Sequence, residues 1–136
     1  MNGFSVINPS LPENRISHMV IGAALKVHSA LGPGLLESVY EKALTHDLMQ
    51  LGLEVKTQVE VPIVYKGIRL NGGFRIDLLV EDVLILEIKS VHDLAPIHYA
   101  QVSTYLKLAD KRLALLLNFN NKYMKEGIHR ITNNLW

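Results

Sequence analysis

No cysteine occurs in the 136 residues, which excludes disulfide bonds and thiolate metal centres. That usage suits a reducing compartment, and the expected location is cytoplasmic. A charge excess is missing as well, because the formal net charge is only +1. There is no polybasic arm and no acidic tail, so a nucleic-acid partner would have to be drawn by a local groove or a bound metal. No apolar run approaches the roughly 20 residues of a membrane-spanning helix, and no membrane partner is expected. The opening stretch "MNGFSVINPSLPENR" lacks the basic and apolar regions of a signal peptide. Internal repeats and low-complexity linkers are also absent.

What is present is a globular composition, 49% hydrophobic and 20% charged, in a chain long enough to bury a core. A single domain over 1–136 is expected, with 1–12 as a loosely ordered N-terminal segment. Ile16, Met19, Val20, Ala23, Ala24, Val27 and Leu31 recur at three- and four-residue spacings, which predicts an amphipathic helix. Gly32-Pro33-Gly34 should end it. "LLESVYEKALTHDLMQLG" reads as a second helix closed by Gly52, and Gly34 would let that helix start close to the sheet.

From Leu53 the period changes to two. Leu53, Val55, Thr57, Val59 and Val61 alternate, predicting a strand that reaches about Tyr65. Pro62 suggests an edge position or a bulge. A turn at Lys66-Gly67 leads into a short second strand, followed by strands over 74–80 and 84–90. "APIHYAQVSTYLKLAD" should be a helix with Pro96 in its first turn. "RLALLLNF" is a near-continuous apolar strand of the buried parallel kind. Strand 84–90, helix 96–110 and strand 112–119 then make a β-α-β crossover, and "GIHRITNNLW" a short edge strand and tail. The predicted order is ααββββαβ: an α/β fold with a mixed sheet flanked by helices.

Charge sits where strands want core residues. In "FRIDLLVEDVLILEIKS", alternation puts Phe74, Ile76, Leu78 and Val80 on one face, with Arg75, Asp77 and Leu79 on the other. The next strand puts Leu84, Leu86 and Ile88 on one face, with Ile85, Glu87 and Lys89 opposite. A two-residue turn would pair Ile76 with Glu87. Pairing Val80 with Leu84 instead brings Leu78 opposite Leu86, Ile76 opposite Ile88, and Asp77 opposite Glu87. Coincident apolar faces fix such a register, and it needs a connection of odd length such as 81–83.

Two facing carboxylates repel. A divalent cation relieves this, and magnesium in particular takes one or two carboxylates and fills its other positions with water and phosphate. Such an ion would acidify water and stabilise charge on a phosphoryl oxygen, with a nearby lysine orienting that water. Asp77, Glu87 and Lys89 therefore have the composition for metal-assisted phosphodiester hydrolysis. An isolated pattern of this kind is more often a plain ion cluster at the open end of a sheet, so its surroundings matter.

Those surroundings carry a resemblance. Asp77 with "Glu87-Ile88-Lys89", behind a leading helix and before a β-α-β crossover, resembles the PD-(D/E)XK nuclease superfamily. "Gly34-Leu35-Leu36-Glu37-Ser38-Val39-Tyr40", with "HSALGPGLLESVYE" and "AQVSTYL", is similar to the GxxExxY protein family within it, from about Ile16 to about Asn133. Ile76 stands where the superfamily name has proline. The resemblance implies a restriction-endonuclease-like fold and a Mg2+- or Mn2+-dependent nuclease acting on DNA. Asp77, Glu87 and the Ile88 main-chain carbonyl would hold the metal. Glu37 would join directly or through water, and Lys89 would position the attacking water. Gln101 and Tyr105, at i and i+4 on the crossover helix, match an element that borders the site in RecB-like members. With Arg75 and Tyr40 they would contact nucleic acid.

Simpler readings stand beside these. Glu37 could serve the helix dipole, Tyr40 the core, and Gln101 plain solvent exposure. His98 reads as a hydrogen-bonder at the helix rim, and His28 as a partner for free helix carbonyls. "LGPG" lacks the ending of a P-loop. The alternative functions are an inactive nucleic-acid-binding or regulatory module and an assembly protein docking through "NNLW". A homo-oligomer is compatible with either.

Overall fold

The amphipathic spacing of the first segment folds as α1, Pro12–Leu31, and the second as α2, Glu37–Gln50. The computed structural model describes residues 7–135, apart from the side chain of Asn71. The N-terminal expectation for 1–12 thus falls partly outside the described residues, as does Trp136 of the tail. Gly32 ends α1 at φ 72. Gly34 has φ 95, and a Cβ there would meet nothing within 4 Å. It serves the left-handed backbone of the turn, not the close approach to the sheet that the sequence suggested.

Five strands follow among the described residues: β1 Val55–Tyr65, β2 Ile68–Val80, β3 Leu84–Lys89, β4 Leu113–Asn118 and β5 Ile128–Thr132. Helix α3, Pro96–Leu108, joins β3 to β4, and a short 3-10 turn at Met124–Gly127 precedes β5. The sheet order is β1-β2-β3-β4-β5. Among the described residues only β3 and β4 run parallel, as the long α3 crossover requires. β5 pairs antiparallel with β4 at the edge. The α/β architecture with a mixed, helix-flanked sheet is the expected one.

The strand count before α3 is three rather than four. The predicted short strand after Gly67 and the strand 74–80 are one element, β2. Gly72-Gly73, between the two expected strands, forms a bulge, with Gly72 at φ 77. A Cβ on Gly73 would lie 2.2 Å from the Val61 carbonyl oxygen, so only glycine lets β1 and β2 stay together there. The register slips across Pro62, between Val61 and Ile63, on the outermost strand. The turn at Lys66-Gly67 has φ of 50 and 78, the pair of positive values that a tight hairpin needs.

Each helix group buries one face of the sheet. Val20, Ala24 and Val27 of α1 and Tyr40, Leu44 and Leu48 of α2 pack on Leu78, Val80, Leu86, Ile88, Leu115 and Leu117. Val102 and Leu106 of α3 pack on Ile76, Leu79, Ile85, Ala114 and Leu116. With both faces covered, every residue of β4 is buried, which explains its unbroken apolar run. Among the described residues, no helix is long and apolar enough to cross a membrane.

Candidate active site

The site begins where β2 and β3 part. Their register is Leu78 with Leu86, Leu79 with Ile85 and Val80 with Leu84, joined through 81–83 as the apolar alternation predicts. The ladder does not continue to the expected Ile76–Ile88 pair. Ile76 and Phe74 instead pack beneath α3, on the face opposite Leu78 and Val80. Their predicted common face with Leu78 and Val80 is therefore corrected. The alternation breaks at Asp77 and, on β1, at Gln58, whose φ is 51. Val59 and Val61 change sides together with Ile76 and Phe74.

This break frees the β2 edge of β3. The backbone N–H of Ile88 donates to Asp77 Oδ2 at 2.9 Å, where a strand partner would otherwise stand. In a strand, the N–H and C=O of one residue point to the same edge, so the Ile88 carbonyl opens beside Asp77 too. Lys89 directs its own carbonyl the other way, accepting from Phe119 N–H at 2.9 Å. Glu87 and Lys89 share the side of Ile85, toward α3.

Asp77 and Glu87 are in hydrogen-bond contact. Glu87 is buried at 6% exposure. Burial above all, then the bond to Asp77 and its charge, push the Glu87 carboxyl from 4.5 up to about 9, with nearby Lys89 opposing the shift. Glu37 adds a further repulsion, which places its carboxylate within electrostatic reach. It also accepts a long 3.4 Å hydrogen bond from Ser90 N–H. Ser90 Oγ donates to the Leu35 carbonyl at 2.7 Å, tying the start of α2 to the end of β3. Among the described residues, no three His, Asp or Glu side chains already stand as a metal cage. The donor set is thus two touching carboxylates and a main-chain carbonyl. These hard oxygens fit a small divalent cation that keeps water in its remaining positions.

Tyr105 closes the α3 side. Its ring stacks on Phe74 with centroids 4.1 Å apart, and burial followed by the charges of Glu87 and Asp77 raises its hydroxyl pKa. Gln101 lies one turn earlier on the exposed surface of α3. Arg75 is exposed and, between Phe74 and Ile76, falls on the opposite sheet face from Tyr105.

Tyr40 is not available to nucleic acid. The ring is fully buried and stacks on Phe119 at 4.6 Å. Its hydroxyl donates to the Gly32 carbonyl at 2.5 Å and accepts from Leu35 N–H at 3.1 Å. Both bonds hold the turn before α2, so the contact role expected for Tyr40 is corrected to a structural one. His98 Nδ1 accepts from Ala95 N–H at 2.9 Å, the rim hydrogen bond expected of it. His28 reaches past its own helix: its Nε2 lies 2.7 Å from the Asn121 carbonyl.

Two polar residues that the sequence did not single out belong to the neighbourhood. Asn118, buried at the end of β4, grips Val91 through both main-chain groups, at 3.1 and 2.9 Å, fixing the exit from β3. Gln58 Nε2 lies 3.0 and 3.2 Å from the Glu41 carboxylate oxygens and 3.4 Å from Asp77 Oδ1. A lone glutamine in an alternating strand gives no warning of this. An asparagine closing an apolar strand is a faint signal for the other.

A protein-family model described as the PD-(D/E)XK nuclease superfamily matches residues 14–131. No curated protein and no solved structure matches the chain.

Proposed function

This chain belongs to the PD-(D/E)XK nuclease superfamily, and from that premise we propose that it is a divalent-metal-dependent nuclease hydrolysing phosphodiester bonds of DNA. The observation carrying this reading is the buried contact of Asp77 with Glu87 at the opening between β2 and β3. Asp77, Glu87 and the Ile88 carbonyl would hold Mg2+ or Mn2+, and Glu37 would join through water. The bound ion would supply charge stabilisation at the phosphoryl oxygens.

The chain's own groups do the rest. Lys89, close enough to lower the Glu87 pKa, orients the attacking water and can take or return its proton at Nζ. Tyr105 holds its hydroxyl beside the carboxylates. Gln101 and Arg75 hold the nucleic-acid backbone on the two sides of the opening. Gly34, Glu37 and Tyr40 support the narrower assignment to the GxxExxY family.

The test is cleavage of single- and double-stranded DNA and RNA with Mg2+ and with Mn2+, wild type against Asp77→Asn. Metal-dependent cleavage of DNA by the wild type, lost in the variant, is the expected result. Preference for RNA would correct the substrate. No cleavage of any substrate with either ion would leave an inactive binding module as the function.

A further inference from the structure

Gln58 occupies mid-strand backbone at φ 51, a region that residues other than glycine seldom enter. Such conformations persist where the surroundings over-determine them, and they cluster at working sites. Here the surroundings are two carboxylates from different elements. The Gln58 amide nitrogen faces both oxygens of Glu41 on α2 and Oδ1 of Asp77 on β2. Asp77 Oδ2 is engaged separately by Ile88 N–H. Glu87 reaches the same carboxylate, and the 3.4 Å approach of the Gln58 amide to Oδ1 further limits the rotation left to it about its side-chain bonds.

We propose that Gln58 is a positioning residue for Asp77, with Glu41 anchoring the amide from α2. The amide fixes one oxygen of Asp77 so that the other stays on the open edge of β3. The same residue breaks the strand alternation, so the turning of β1 and β2 toward α3 and the aim of Asp77 share one cause. A simpler role, stitching α2 to β1 through Glu41 alone, would leave Asp77 unaffected by its loss.

The test reads Asp77 directly. Amide hydrogen exchange of Ile88 and Leu86 is followed by NMR in the metal-free, full-length protein, for wild type, Gln58→Leu and Gln58→Gly. Leucine keeps the backbone strain and removes the amide; glycine removes both. The expected result is Ile88 exchange about 3- to 10-fold faster in both variants, as for one lost hydrogen bond, with Leu86 unchanged. An unchanged Ile88, or equal acceleration at Leu86, overturns the proposal in favour of the stitching role. If the Gln58 variants do not fold, Glu41→Gln is read by the same criterion.

A second arm rests on the nuclease reading. Mn2+ affinity, measured by electron paramagnetic resonance, should fall about 10- to 100-fold in Gln58→Leu, the usual cost of losing a group that orients a ligand. Undiminished Mn2+ affinity also counts against the proposal. If wild type binds no Mn2+, the nuclease reading fails, and the Ile88 exchange decides the role of Gln58 alone.

Discussion

Asp77 Oδ2 accepts the Ile88 N–H at 2.9 Å, so a side chain of β2 takes the place that its backbone vacates. One residue earlier on β3, Glu87 reaches the same carboxylate. Strand separation, a main-chain carbonyl turned outward and a pair of touching carboxylates are thus consequences of one local departure from pairing.

That arrangement predicts the behaviour of Asp77→Asn. The amide oxygen can still accept the Ile88 N–H, so the fold should remain in the metal-free protein, where Glu87 keeps its proton near neutral pH and no charge repulsion is there to be relieved. Wild type should gain stability on adding Mg2+, about 2.7 kcal/mol when the ion is 100-fold above its Kd. Asp77→Asn should gain none. Thermal unfolding with and without Mg2+ checks both statements, and an equal gain in the two proteins would move the metal elsewhere.

Lys89→Ala separates holding a metal from turnover. Lys89 contributes no atom to the donor set, so Mg2+ should still stabilise the variant. Removing one positioned proton-transfer group commonly costs about 10²- to 10⁴-fold in rate, and single-turnover cleavage should fall in that range. Wild-type rates in Lys89→Ala would reduce the lysine to a charge-balancing neighbour of Glu87.

The sequence carried the register because Leu78, Val80, Leu84 and Leu86 alternate cleanly, and only one pairing keeps them on one face. It carried the buried parallel strand because β4 is apolar without a break from Leu113 to Leu117. It missed the change of faces at Gln58 and Asp77, since that depends on a φ of 51 at a glutamine, with no glycine to announce it. The expected division between a short strand after Gly67 and the strand from Phe74 fails for another reason: Gly73 allows the close approach to Val61, so the two segments stay one strand. Tyr40 was ambiguous for a related reason. Its burial depends on Phe119, from a distant part of the chain, and on a turn whose carbonyl it must satisfy.

The corrected role of Tyr40 has its own consequence. Tyr40→Phe keeps the stacked ring but leaves the Gly32 carbonyl and Leu35 N–H without their partner. A cost of about 1–3 kcal/mol in unfolding free energy is expected, measured by urea denaturation. Nucleic-acid affinity of the folded variant should match wild type. Weaker binding at unchanged stability would return Tyr40 to the interface.

The last prediction concerns pH in the absence of metal. Burial and the neighbouring Asp77 raise the Glu87 carboxyl from 4.5 to about 9, so the folded protein retains a proton that the unfolded chain releases. The unfolded state then binds fewer protons, and the free energy of unfolding falls as pH rises. This contribution is complete below about pH 4.5 and is lost progressively as pH climbs through about 9. Denaturation with chelator should show wild type weakening over that window, while Glu87→Gln, which stays neutral throughout, should lose much of the slope. Added Mg2+ should flatten the wild-type curve as well, because a cation between the carboxylates favours their ionised forms. If Glu87→Gln retained the full slope, the proton would belong to another group, and the coupling of Asp77 to Glu87 would lose its thermodynamic support.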